Sequence, residues 1–137
     1  MNLSGKKVAV LGYGVVGKAS LKYALQSDAF VTLYDVKKFE DFCEDDVQFL
    51  EEINVPLKLG SVNFRGLEEF DLIISSPGID PKIQSITKAI KSGVKLYTDI
   101  SLFLEIWNGN GPVIGVTGSN GKSTTVSLID EALRSEG

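Results

Sequence analysis

Two glycine-rich runs carry the residue types and spacing for phosphate chemistry. The first in information content is Thr117-Gly118-Ser119-Asn120-Gly121-Lys122-Ser123-Thr124-Thr125, which follows the apolar segment Pro112-Val113-Ile114-Gly115-Val116 and opens a helix-like stretch from Val126 to Leu133. Glycines at 118 and 121 let the backbone turn tightly and aim N–H groups at an anion. Lys122 can add charge near the terminal phosphates of a nucleoside triphosphate, Ser123 can offer a hydroxyl to Mg²⁺, and the helix N-terminus adds a favourable dipole. The second run, Gly12-Tyr13-Gly14-Val15-Val16-Gly17, has G-x-G-x-x-G spacing directly after a short apolar strand, and the next strand ends at Asp35. That is the fingerprint of a diphosphate-containing ligand. Its glycines serve a tight turn, close backbone approach and helix packing, the diphosphate sits on the helix N-terminus, and a carboxylate accepts from ribose or base. Taken alone it favours NAD, without separating NAD from another nucleoside diphosphate.

The elements that must position these loops alternate. Strands are expected at Val8–Leu11, Phe30–Tyr34 (ending at Asp35), Pro56–Leu59, Leu72–Ser75 and Val94–Tyr97, and the apolar run Pro112–Val116 before the loop at 117–125 reads as one more. Helical spacing marks Val16–Gln26, Phe39–Ile53, Ile83–Ile90 and Leu102–Trp107, with Ser76-Pro77-Gly78 a turn and Asn108-Gly109-Asn110-Gly111-Pro112 a linker. Strand alternating with helix implies an α/β fold with a helix-covered parallel sheet of Rossmann-like type. Pro77 and Gly78 follow a strand at the carboxyl edge, where such sheets bind ligands.

Composition narrows the function classes. At 137 residues and 43% hydrophobic, the chain suffices for one core of about 100–150 residues plus a stub. A net charge of -4 argues against non-specific nucleic-acid binding and against an anionic membrane surface as partners. No apolar run approaches the length of a membrane span and no signal peptide is visible, so a cytoplasmic setting is expected. The single cysteine, Cys43, excludes an intrachain disulfide and reads as a surface thiol in an acidic segment; with no histidine, a conventional zinc site is not expected. Without histidine, Ser75, Ser76 and Ser123 also lack a base to make them nucleophiles. Glu40, Asp41, Glu44, Asp45, Asp46, Glu51 and Glu52 read as a solvated helix face, and Trp107 as packing beside the linker.

The pairing of loops separates the readings. A dehydrogenase has no need of a second phosphate loop, whereas a ligase that activates a carboxylate with ATP while holding a nucleotide-tethered substrate needs both. The sequence resembles the Mur ligases of peptidoglycan synthesis, through Gly12–Gly17, Asp35, Ser75-Ser76-Pro77-Gly78-Ile79, Asp99-Ile100-Ser101-Leu102-Phe103 and Gly115–Thr124. The T-G-x-N-G-K-S-T form of the last run is the most specific of these. Folylpolyglutamate synthases are similar but usually carry glycine after the lysine, so Ser123 favours the Mur side.

The resemblance implies a three-domain, ADP-forming ligase that adds D-glutamate to UDP-N-acetylmuramoyl-L-alanine through an acyl phosphate. Residues 1–98 would be the UDP-substrate domain and 99–137 the incomplete opening of the central ATP- and Mg²⁺-binding domain. By resemblance, Gly12, Gly14, Val15, Val16 and Gly17 bind the UDP substrate, the backbone at Val15 and Val16 meeting the diphosphate, Asp35 and Lys37 lie by the uracil, and Pro77 and Gly78 line the sugar-nucleotide cleft. Gly118, Ser119, Asn120, Gly121, Lys122, Ser123, Thr124 and Thr125 wrap the ATP phosphates, Lys122 and Ser123 being the catalytic residues and Ser123 the Mg²⁺ ligand. Three positions depart from the family's pattern: Val16 where threonine is frequent, Lys37 where arginine is common, and Ser101 where an acid is frequent. The alternatives are an NAD(P)-binding oxidoreductase domain and a non-catalytic nucleotide-sugar-binding module. On the ligase reading, residues 1–137 alone are expected to be inactive.

Overall fold

A computed structural model describes residues 1–107, 109 and 111–135. Five strands form one parallel sheet: β1 (Lys7–Leu11), β2 (Phe30–Asp35), β3 (Leu57–Leu59), β4 (Leu72–Ser75) and β5 (Lys95–Tyr97), in the order β3-β2-β1-β4-β5. In register, Val8 pairs with Val31 on one side and with Leu72 on the other, so β1 is the central strand. Side chains alternate across the pleat. Val8 and Val10 enter a core layer with Leu21, Ala24, Leu50 and Leu102, while Ala9 and Leu11 enter the opposite layer with Phe64, Leu67, Ile86 and Ala89. Burial on both faces explains why β1 and β4 read as unbroken apolar runs.

The sheet sets the site. The chain moves outward from β1 to β2 and β3, then returns to the other side of β1 as β4, so the loops leaving β1 and β4 diverge and a crevice opens at their carboxyl ends. α1 (Val15–Gln26) follows β1, and α3 (Gln84–Lys91) follows β4.

Several boundaries differ from the sequence expectation, each for a local reason. The stretch 39–53 is not one helix. A 3-10 turn at Phe39–Asp41, closed by Lys38 N–H donating to Asp41 Oδ2 at 3.0 Å, is followed by extended backbone at Phe42 and Cys43 before α2 (Glu44–Glu52) begins. Helix α4 spans Asp99–Ile106 rather than 102–107, because Thr98 and Ser101 cap it reciprocally. Thr98 N–H donates to Ser101 Oγ at 2.8 Å and Ser101 N–H to Thr98 Oγ1 at 3.2 Å. This is capping-box geometry with serine in the position usually held by an acid or its amide, which gives Ser101 a structural role.

The chain divides into two compact units, Met1–Ile106 and Trp107–Gly137. In the second, α5 (Lys122–Ser135) begins at the lysine of the phosphate loop, four residues before the expected start. The expected strand over Pro112–Val116 is not formed. A strand exists only with a ladder partner, and among the described residues this segment has none. Asn108 and Asn110 of the expected linker lie outside the described residues.

Candidate functional site

The glycine loop is built from the end of β1 and the start of α1. Gly12 has φ +85°, a conformation that suits glycine, and its N–H donates to the Tyr34 carbonyl at 2.8 Å. Gly17 lies under the loop: a Cβ there would stand 1.7 Å from the Gly12 carbonyl oxygen, so only a hydrogen permits α1 to start where it does. Gly14 is the N-cap, without a side-chain cap. The first-turn N–H groups of α1 have no intrahelical acceptor, and at their mouth Val15 is 88% exposed. This is an anion-binding geometry.

Asp35 ends β2 beside the loop and is only 7% exposed. Its Oδ2 accepts from the Tyr13 N–H at 2.5 Å and its Oδ1 from the Lys37 N–H at 2.7 Å. The carboxylate thus ties the glycine loop to the turn after β2, and reaches a ligand only through the lone pairs these bonds leave. On the β4 side, Ser76 Oγ donates to the Gly12 carbonyl at 3.2 Å, joining the two loops that flank the crevice. Gly12 to Val16, Asp35, Ser76, Pro77, Gly78 and Ile79 line one cleft of about 350 Å³. Lys37 is not in this lining; its ammonium lies 5.7 Å from the Phe42 ring centroid.

Tyr13, between the first two glycines, turns its side chain into the core. Its ring meets Phe42 edge-on at 5.4 Å, and burial, with Asp46 and Cys43 adding to it, pushes its hydroxyl up to about pKa 12. The phenol is therefore a neutral donor throughout the physiological range.

In the second unit the phosphate-loop run is exposed. Gly118 and Gly121 take positive φ (+150° and +77°), Lys122 opens α5 and folds its ammonium back to donate to the Gly118 carbonyl, and Thr125 Oγ1 donates to the Gly121 carbonyl at 2.9 Å. A looped backbone, a helix N-terminus, an ammonium closing over the loop and the adjacent Ser123 hydroxyl form a donor set suited to an anion with a hard cation beside it.

Residues 6–98 match the family described as Mur ligase MurD-like, N-terminal domain. The chain belongs to this family of Mur ligases. Similar proteins include the UDP-N-acetylmuramoylalanine--D-glutamate ligases of Haemophilus influenzae (strain PittEE), 35% identical over 132 residues, and of Pasteurella multocida (strain Pm70), 37% identical over 132 residues. Each alignment covers 96% of this chain, which spans 29% of each relative's length. Among solved structures, UDP-N-acetylmuramate-alanine ligase MurC from Thermotoga maritima aligns with a TM-score of 0.62 at 18% identity, over 94% of this chain and 29% of that one; this likeness concerns the fold.

Within the Mur ligase frame, the structure gathers Gly12, Gly14, Val15, Val16, Asp35, Pro77 and Gly78 at one cleft, with Gly17 beneath it. Lys37 stands apart, and the residues from Gly118 to Thr125 belong to the other unit. Sequence reasoning passed over Ser76 as a site residue, although its place after β4 at the sheet's switch point was a usable signal. It also missed Lys18, whose ammonium pairs with Asp46 and lies 5.1 Å from the Tyr13 ring centroid. No spacing in the sequence announces that contact.

Proposed function

We propose that this chain forms the substrate-holding domain and the opening of the ATP-binding domain of a cytoplasmic ligase that joins D-glutamate to UDP-N-acetylmuramoyl-L-alanine. The observation that carries the proposal is the coexistence, in a chain of the MurD-like family, of the cleft at Gly12–Val16 with the separate loop at Gly118–Thr125. Residues 1–98 hold the UDP moiety, and residues 99–137 lead through α4, which belongs to the first compact unit, into the opening of the central domain. Val15 and Val16 N–H groups receive the diphosphate, Asp35 lies by the uracil, which Lys37 approaches from outside the cleft lining, and Pro77 and Gly78 border the sugar.

In the second unit, the backbone from Ser119 to Thr125 cradles the ATP phosphates, Lys122 stabilises the charge of the moving phosphoryl group, and Ser123 Oγ offers a ligand for Mg²⁺. The metal, when bound, neutralises phosphate charge. The substrate carboxylate oxygen bonds to the terminal phosphorus as the bond to ADP breaks; the D-glutamate amine then attacks the acyl carbon, phosphate leaves, and the amine proton passes to solvent or a base outside these residues. Among the described residues no helix is long and apolar enough to cross a membrane, and neither nucleic acid nor membrane is a proposed partner.

Ligand choice in the first unit tests the reading. Titration calorimetry on this chain is expected to give tighter binding of UDP or UDP-N-acetylmuramoyl-L-alanine than of NAD⁺ or NADP⁺. Tighter binding of NAD⁺ than of UDP would favour the oxidoreductase reading instead.

A further inference from the structure

The glycine loop is clasped from the side by a segment that the fingerprint does not contain. Tyr13 is held at both ends: its backbone N–H by buried Asp35, and its ring edge-on by Phe42, with an interplanar angle of 89°. Lys18, one turn into α1, sets its ammonium over the Tyr13 ring and pairs with Asp46 in the first turn of α2. Phe42 in turn carries the Lys37 ammonium on its ring. The break in the expected helical stretch 39–53 permits this, since the extended backbone at Phe42 and Cys43 brings Phe42 to Tyr13 and Asp46 to Lys18. Lys18 holds the Asp46 carboxyl below the usual carboxylate range, so the pair is charged at neutral pH.

We infer that Lys18 and Asp46 are positioning residues, which latch the segment 38–46 against Tyr13 and so fix both the anion-binding loop and the orientation of Lys37. The inference rests on the reading of this cleft as a nucleotide site. The latch touches no ligand itself; it sets affinity by keeping the loop in the shape that receives one. An ion pair of this exposure changes an equilibrium by up to about fivefold, and its effect appears in nucleotide affinity rather than in the melting of the whole unit.

The test compares the 137-residue chain with Lys18→Ala, Asp46→Ala and the exchanged pair Lys18→Asp with Asp46→Lys. Three quantities are read: the calorimetric Kd for UDP, the hydrogen-exchange rate of the Tyr13 amide by NMR, and Tm. Each single variant is expected to weaken UDP binding about threefold to fivefold and to speed Tyr13 exchange while Tm stays near that of the parent chain, and the exchanged pair to restore both. If the exchanged pair binds UDP more weakly than Lys18→Ala, Lys18 acts directly on the phosphates and the latch is wrong. Unchanged Kd and unchanged Tyr13 exchange in the single variants would also overturn it, as would affinity losses that follow a matching fall in Tm. Should the parent chain not bind UDP, the nucleotide reading fails, and Tyr13 exchange still decides the latch: faster in the single variants and restored in the exchanged pair supports it, unchanged overturns it.

Discussion

Gly17→Ala is expected to remove nucleotide binding and to destabilise the first unit by about 3 kcal/mol or more, the upper range for forced overpacking. An added methyl would stand 1.7 Å from the Gly12 carbonyl oxygen and 3.1 Å from Ser76 Oγ. The first of these neighbours is backbone and cannot swing aside, so either α1 shifts along its axis or the loop abandons the turn that aims its N–H groups. Gly14→Ala is the control, because a Cβ there meets nothing within 4 Å and φ is −78°. Its cost is the ordinary one for alanine at an N-cap, about 1 kcal/mol or less. Urea unfolding of both variants, with UDP titration, checks the contrast; equal stability of the two would show that the loop is not packed as described.

The second large effect is a division of labour in the intact protein. Lys122→Ala is expected to lower kcat by about 10²–10³, the effect of removing one electrostatic donor to a transition state, equivalent to about 2.7–4 kcal/mol. Binding of the UDP substrate should barely change. Asp35→Ala should do the reverse and appear mainly in KM for the nucleotide substrate, because the proposed role sets it against a part of the substrate remote from the reacting carboxylate. The structure adds a mechanism to that expectation: without the carboxylate, the Tyr13 and Lys37 N–H groups lose their acceptor, and the Tyr13 N–H, whose bond is buried, costs about 1–3 kcal/mol when left unpaired. Steady-state kinetics on both variants separates the roles. Intact kcat in Lys122→Ala, or a fall in kcat at unchanged KM in Asp35→Ala, contradicts the division.

What was legible in the sequence followed from burial. β4 occupies the expected Leu72–Ser75 and β1 extends the expected Val8–Leu11 by one residue, because strands covered on both faces must be apolar throughout. The glycine loop was legible because its spacing is a steric requirement, and Gly12 and Gly17 meet it. The break at Phe42 was hidden, since Phe39, Phe42 and Phe49 fall at helical spacing although Phe42 is directed to Tyr13 across the loop. The start of α4 was hidden too, because a serine takes the reciprocal capping position usually marked by an acid or its amide. The partners of Asp35 are backbone N–H groups, which no residue type encodes. The run at Pro112–Val116 shows the opposite error: apolar content favours a strand, but only a neighbouring strand can make one.

The most direct test of the central claim is ADP formation by the intact protein supplied with ATP, Mg²⁺ and UDP-N-acetylmuramoyl-L-alanine, with and without D-glutamate, product mass being followed in parallel. The account predicts ADP formation that depends on D-glutamate, matched one for one by a UDP-linked product heavier by one glutamyl residue. Reduction of NAD⁺ or NADP⁺ with the same substrate, or ADP formation without an amide product, would contradict it.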